Sequence, residues 1–303
     1  MKKILLSVSC LLAAVVVNSQ SPAFEWAKNM GGYYGYAAGI DVTTDASGNV
    51  YTTGYFQGRV DFDPGANIFY LTAAGSDIFI TKTGAAGNFI WAKQMGGTSN
   101  NQSNSIALDA IDNIYVTGYF NGTVDFDPGA TTYNLTSEGA SDIFVAKLNS
   151  SGNFNWAVKF GAAYGDIGAA IAVDGPGNVY TTGTFMGNVD FDPGAGNYFI
   201  NVNIGNTNNT FISKLNSSGN FIWAKNFGGG ENSATSIALD AAGNIYTTGR
   251  FYFTNDFDPG AGIFNLTAAS GSSDIFIASL NSLGNFNWAK SLTGTGAKFA
   301  YST

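Results

Sequence analysis

After an apolar opening, the hydrophobic side chains come in short bursts of four to eight residues in which apolar positions alternate with small or polar ones. That period of two, with β-branched and aromatic enrichment and Gly, Asn, Ser and Asp at the borders, predicts strands. No sustained 3.6-residue period follows, so no helix is expected after the opening run. The bursts recur in a fixed order. An Ile-Ala-x-Asp phrase, as in Ile106 to Asp109, is followed by Asn-Val/Ile-Tyr-x-Thr-Gly at 49–54, 113–118, 178–183 and 244–249. Next comes Asp-Ile-Phe-Ile/Val at 77–80, 142–145 and 274–277, weakened to Asn209-Thr210-Phe211-Ile212 in the third unit. A Phe-x-Trp-Ala-Lys phrase completes the set, and its Trp26, Trp91, Trp156, Trp223 and Trp288 lie 65, 65, 67 and 65 residues apart. The first unit departs, with Val42-Thr43-Thr44-Asp45 in the place of Ile-Ala-x-Asp.

Taken as strands A, B, C and D, the phrases predict a four-stranded antiparallel sheet written once per ~65 residues, which is the unit of an all-β propeller. Gly48-Asn49, Gly87-Asn88, Gly152-Asn153, Gly219-Asn220 and Gly243-Asn244 supply the tight turns. In their order the phrases resemble the SBBP-type β-propeller repeat of bacterial exported proteins, in the Bacteroidetes-like variant that carries a repeated Asp-Phe-Asp-Pro-Gly. The resemblance runs from Phe24 to the end of the chain. It implies a propeller and a secreted or cell-surface setting, and it implies no particular reaction.

The units are placed at about 24–88, 89–153, 154–220 and 221–285, with a partial unit at 286–303. Strand D thus appears five times, and A, B and C four times each. Four full blades and a fraction lead to the expectation of a truncated array, with a shorter ring that closes on itself as the alternative.

Met1-Lys2-Lys3, the apolar run Ile4 to Val17 and the polar exit Asn18 to Ser21 have the three parts of a secretory signal, so residues 1–20 are excluded from the fold. The run is shorter than the ~20 residues that span a bilayer, and no other segment approaches that length. Cys10 sits inside it without a lipobox leucine before it, so a lipid anchor is not expected. Removal of the signal leaves no cysteine, and the chain has no histidine. Ser-His-Asp and Cys-His catalysis, disulfides and Cys- or His-bearing zinc sites are therefore outside its repertoire. Charged residues are only 11% and the net charge is −8, with no basic run, which argues against nucleic acid and anionic membranes as partners.

Candidate chemistry falls on the rim that carries the B–C and D–A connections, because these connections are longer and more varied than the A–B and C–D turns. Asp-Phe-Asp-Pro-Gly occurs four times there. Its carboxylates, Asp61 and Asp63, Asp125 and Asp127, Asp190 and Asp192, Asp256 and Asp258, stand two residues apart on one side of an extended segment, as a hard cation such as calcium requires. Each pair supplies two oxygens where calcium takes six to eight, and the plainer reading is a turn with a packed Phe. Near-identical copies also lack the unequal carboxyl environments that glycoside hydrolysis needs. The tryptophans, fixed in strand D, are read as packing residues. Residues that differ between units form the ligand-binding candidates: Tyr33, Tyr34 and Tyr36, Asn100, Asn101 and Gln102, Tyr164 and Asp166, Glu231 and Asn232. The expectation is a secreted, non-enzymatic module with no cofactor besides a candidate calcium, binding a glycan or a protein at the cell surface. An extracellular hydrolase or lyase and a structural spacer are the alternatives.

Overall fold

The computed structural model describes residues 25–31, 35–202, 207–294, 296, 298 and 300. The signal segment, Cys10, Tyr33 and Tyr34 lie outside the described residues. All elements are strands, and among the described residues no helix occurs.

Unit 1 comprises β1 (Gly35–Thr44), β2 (Val50–Asp61), β3 (Tyr70–Thr83) and β4 (Phe89–Gly97). Unit 2 has β5 (Gln102–Leu108), β6 (Ile114–Phe120), a hairpin of β7 (Thr123–Asp125) and β8 (Asn134–Thr136), then β9 (Asp142–Leu148) and β10 (Phe154–Phe160). Unit 3 repeats this with β11 (Ile167–Val173), β12 (Val179–Phe185), β13 (Gly187–Asp190), β14 (Phe199–Val202), β15 (Asn209–Leu215) and β16 (Phe221–Asn226). Unit 4 begins with the short β17 (Gly228–Gly229), followed by β18 (Asn232–Leu239), β19 (Ile245–Phe251), β20 (Thr254–Asp256), β21 (Asn265–Thr267), β22 (Asp274–Leu280) and β23 (Phe286–Leu292).

Each unit is an antiparallel A-B-C-D sheet: β1-β2-β3-β4, β5-β6-β9-β10, β11-β12-β15-β16 and β18-β19-β22-β23. The fold is that of a β-propeller. Strands A of successive units pack on one another, β1 on β5, β5 on β11 and β11 on β18, so they form the inner layer. Each A strand breaks register opposite the Gly of its B strand, as between Ser103 and Ser105 and between Ala234 and Ser236. The sheets close on the Trp phrase that follows strand C. The earliest such phrase, described from Glu25 to Met30, docks on unit 1 through Trp26 and Met30.

Two features hold neighbouring sheets together. The first is the apolar face of each sheet. One cluster joins Tyr51, Ile78, Ile80 and Met95 of unit 1 to Ile106, Ile114, Val116 and Phe144 of unit 2, all at most 5% exposed. The second is the Trp phrase. The indoles of Trp26, Trp91, Trp156 and Trp223 lie on C–D turns of the next unit, where Gly87, Gly152, Gly219 and Gly284 have positive φ and no side chain. A Cβ on Gly219 would stand 3.0 Å from the Trp156 ring, and one on Gly87 would stand 2.9 Å from Trp26. Trp26 and Trp156 also donate Nε1–H to turn carbonyls of Ala85 and Ser217 at 2.8 and 3.2 Å. The tryptophans are thus seams between units, edge-on to Tyr51, Tyr115 and Tyr180 of their own sheets.

The A–B turns are organised by a carboxylate. Asp109 Oδ1 accepts the amides of Ile111 and Asn113, while its Oδ2 accepts Asn113 Nδ2 at 2.7 Å and the Tyr115 hydroxyl at 3.0 Å. Asp45, Asp174 and Asp240 hold Asn49 and Tyr51, Asn178 and Tyr180, and Asn244 and Tyr246 in the same way. Burial pushes the Asp45 carboxyl up, but the hydrogen bonds from Asn49, Lys82 and Ser47 outweigh it and bring it to about 2. The turn position after next is glycine at 48, 177 and 243 but Asp112 in unit 2, where φ is 62°. L-residues carry a penalty there. Asp112→Gly is therefore expected to raise stability by about 0.5–1 kcal/mol in urea denaturation, with no change in the slope of the transition.

Candidate functional site

The B–C connection is a β-hairpin of nearly constant form rather than a variable loop. In unit 2, β7 and β8 pair as Thr123–Thr136, Val124–Leu135 and Asp125–Asn134, with Asp-Phe-Asp-Pro-Gly at the bend. Asp125 Oδ1 accepts the amides of Asp127 at 3.0 Å and Tyr133 at 2.9 Å, and Asp127 Oδ1 accepts the Gly129 amide at 2.7 Å. Asp61, Asp190 and Asp256 accept the corresponding amides of Phe69, Tyr198 and Phe264, each eight residues downstream. Asp63, Asp192 and Asp258 accept those of Gly65, Gly194 and Gly260. The intervening Phe62, Phe126, Phe191 and Phe257 are fully buried, with Phe126 edge-on to Phe120 at 5.3 Å. Among the described residues no three or more of His, Cys, Asp and Glu come together as a cation site. Each pair brings two carboxylates whose Oδ1 atoms are engaged in the turn, and Asp127 also accepts the Thr131 hydroxyl at Oδ2.

The hairpins also reach across the unit boundary. Gly96 and Gly97, at the end of strand D, pair with Asp125 and Val124 of the next hairpin. Gly31 bridges Asp61, Gly161 bridges Asp190, and Gly228 pairs with Asp256 in the same way. At Gly96 and Gly161 a Cβ would meet the buried carboxylates of Asp77 and Asp142 at 2.0 and 2.3 Å, so the strand passes over them only as glycine.

This arrangement opens a cleft at each of two boundaries on the B–C/D–A rim. Between units 1 and 2 it has a volume of about 650 Å³, with Phe69 and Leu71 on one wall, Lys93 and Gln94 on the floor, and Asp125, Asp127 and Pro128 opposite. Between units 2 and 3 it is about 410 Å³, with Tyr133 and Leu135, Val158 and Lys159, and Asp190, Asp192 and Pro193 in the same places, joined by Phe199. Lys159 is held there by Glu138 at 2.8 Å and Asp142 at 3.3 Å. Asp142 Oδ1 is buried without a hydrogen-bond partner, and burial raises the carboxyl. The aromatic residues of the walls were missed in the sequence, although an aromatic stands eight residues after the first Asp of every bend.

The D–A candidates divide. Tyr36, Asn100 and Tyr164 are exposed, Tyr36 against Tyr55 at 5.9 Å and Tyr164 over Gly187. Gln102 and Glu231 are half-buried, and Gln102 donates to Asn104. Asn101, Asp166 and Asn232 occupy equivalent positions and are buried, at 1%, 0% and 0% exposure. Their amides bond Ser76, Ser141 and Asn208 of the preceding sheet, at 2.8 to 3.0 Å. Their side chains accept backbone amides, from Asn121, from Met186 and Ala162, and from Thr210. All three are brackets between units, out of reach of a ligand at the rim.

Asp166 alone of the three carries a carboxyl. Burial, the dominant effect, and the nearby Asp142 raise it to about 7 against the opposing pull of its two amide donors. An unfolded Asp titrates near 3.9. The folded state therefore holds the proton more tightly, and stability is full below about pH 4 and falls as pH rises toward 7. Asp166→Asn, the residue of the equivalent positions, is expected to raise stability at pH 8 by about 1–3 kcal/mol and to leave it nearly unchanged at pH 4, measured as denaturant midpoints at the two pH values.

No family model matches the chain. Over 236 residues, 68% of its length, it is 27% identical to an uncharacterised WD repeat-containing protein of Acanthamoeba polyphaga mimivirus, and over 157 residues, 50% of its length, it is 27% identical to the regulatory protein FlaEY of Caulobacter vibrioides. The matched span is 16% of each relative's own length. With the sheets described above, the likeness makes this chain a β-propeller-like repeat protein.

Proposed function

We propose that this chain is an exported, non-enzymatic binding module of the SBBP-type repeat class, and that its rim clefts hold a hydroxyl-rich chain, a glycan of the cell surface or its surroundings. The observation that carries this reading is the recurrence of one cleft chemistry at successive boundaries: an aromatic wall, a carboxylate pair from the next hairpin and a Lys or Gln between them. Aromatic faces stack on apolar ring faces, and carboxylates and amides accept or donate to hydroxyls. Equal chemistry at a regular spacing suits a ligand that is itself a repeat, and several weak subsites on one rigid scaffold add their affinities. Binding without turnover agrees with the use of the bend carboxylates as amide acceptors. Export follows from the basic and apolar opening of the chain.

The test is titration of the purified protein with a panel of soluble polysaccharides, by calorimetry and by affinity electrophoresis. Phe199→Ala and Tyr133→Ala, at exposed cleft positions, are expected to weaken the binding glycan about tenfold each, near 1.4 kcal/mol, with unchanged melting and no new reducing ends on prolonged incubation. Binding that ignores both substitutions would move the site elsewhere, and release of sugar fragments would make the module an enzyme.

A further inference from the structure

Strand C of every unit carries a buried polar side chain at the same place. Asp77 stands opposite Phe56 as Asp142 stands opposite Phe120, Asn209 opposite Phe185 and Asp274 opposite Phe251. The three aspartates are 2%, 0% and 0% exposed in chain order. A charge this deep is ordinarily paired. Asp142 is paired from the neighbouring strand, where Lys159 of β10 reaches it at 3.3 Å. Asp274 is paired from the segment after β23, where Lys298 reaches it at 2.9 Å. Unit 3 needs no such partner, because Asn209 is neutral and the neutral Asn226 stands where unit 2 has Lys159.

Asp77 is the exception. Gln94 faces Phe79 where Lys159 faces Phe144, so the lysine of the neighbouring strand is replaced by an amide. Asn101 stands where unit 4 has Lys298, since the Ser76 and Ser273 hydroxyls donate to their carbonyls in the same way, each at 3.3 Å. The partners of Asp77 are therefore neutral: Gln94 Nε2 at 2.6 Å, the Gly97 amide at 3.2 Å and the Asn101 side chain. Burial raises its carboxyl against their pull. Ala74 likewise takes the place of Glu138, the second acceptor of Lys159, each just ahead of a glycine that lies under linker carbonyls. The ion pair that lines the cleft between units 2 and 3 is thus missing between units 1 and 2. There the cleft is about 650 Å³ rather than 410 Å³, and Asp77 is part of its lining. Lys93 does not supply the charge, because its stem lies along the Gly152 turn.

From this mismatch we infer that the cleft between units 1 and 2 takes an amino sugar, whose ammonium sits on Asp77 as Lys159 and Lys298 sit on Asp142 and Asp274. The inference rests on the glycan reading for the body of the ligand and adds the charge that this cleft selects. The chain itself shows that a carboxylate at this position accepts a primary ammonium without giving up its backbone donors. Asp142 keeps the Glu138 amide beside Lys159, and Asp274 keeps the Ala269 amide beside Lys298. A carboxylate has about four acceptor sites, so Asp77 has room for an ammonium beside its present donors. Phe69 and Leu71 offer the sugar ring an apolar wall, and Asp125 and Asp127 across the cleft favour a cation. A metal ion fits less well, because among the described residues no three ligating side chains come together. An N-acetylated ring would bring no charge and would leave Asp77 as unpaired as before.

Calorimetric titration of the purified chain with a β-linked glucosamine tetramer and with its fully N-acetylated counterpart tests it, at a pH where the amines are protonated. The glucosamine tetramer is expected to bind at least about tenfold more tightly. Asp77→Asn should remove that preference by removing the charge, and Gln94→Lys should remove it by placing the chain's own ammonium on the carboxylate. Each variant carries a residue that another unit already holds at the equivalent position, and melting curves check that both fold. Equal binding of the two tetramers, or a preference indifferent to both substitutions, would overturn the inference and leave the glycan reading standing. A tetralysine peptide that binds as tightly as the glucosamine tetramer and responds to Asp77→Asn would overturn the amino sugar in favour of a basic peptide. Binding of neither tetramer would also overturn it, and the glycan reading would fall with it only if the polysaccharide panel were negative as well.

Discussion

The seat of four indoles, Trp26, Trp91, Trp156 and Trp223, on the bare glycine turn of the next unit is the contact on which the architecture depends. A single four-stranded sheet has two apolar faces and cannot bury either one alone. The Trp phrase solves this by extending strand D past its own sheet, first to the neighbour's C–D turn and then, through Gly31, Gly96, Gly161 and Gly228, to the neighbour's hairpin. Turn glycine, indole and hairpin bend must therefore repeat together, and they share one period in the sequence. The inner layer of A strands completes the same boundary from the other side, with Ile106 in the face of unit 1 and the Ile171 amide on Ser105 Oγ.

The acidic residues serve mainly as internal acceptors. Asp45, Asp109, Asp174 and Asp240 tie the A–B turns, and the bend pairs tie the hairpins. A chain with few charges thereby uses carboxylate–amide bonds, stronger than neutral ones, at points where its strands reverse. The carboxylates that are poorly matched are Asp142, with one unsatisfied oxygen, and Asp166, which burial above all, with a smaller contribution from Asp142, raises to about 7. Asn209 replaces the first of these in unit 3, and Asn101 and Asn232 replace the second in units 2 and 4.

Strand order, turn positions and the all-β class were legible because each rests on local periodicity and turn chemistry. The weakened phrase at Asn209 still forms β15 in full register with β12, since Phe211 and Ile212 keep the alternation. The hairpin between B and C was not legible as such. Its strands are three or four residues long, and the signal lies in the spacing from Asp to an aromatic eight residues later rather than in hydrophobic alternation. Asn101, Asp166 and Asn232 looked like loop residues because they differ in identity, yet the main-chain amide of each makes the same bond to the preceding sheet.

The rigidity of the scaffold comes from the seams between units. Native-state hydrogen exchange of Trp156→Ala tests that claim most directly. The account expects protection to fall by about 2 kcal/mol in the following unit, at the Asn216–Asn220 turn and the β13–β14 hairpin, as well as in β10 itself. Loss confined to unit 2, with the turn and hairpin of unit 3 as protected as before, would show that the sheets stand without their seams and would contradict it.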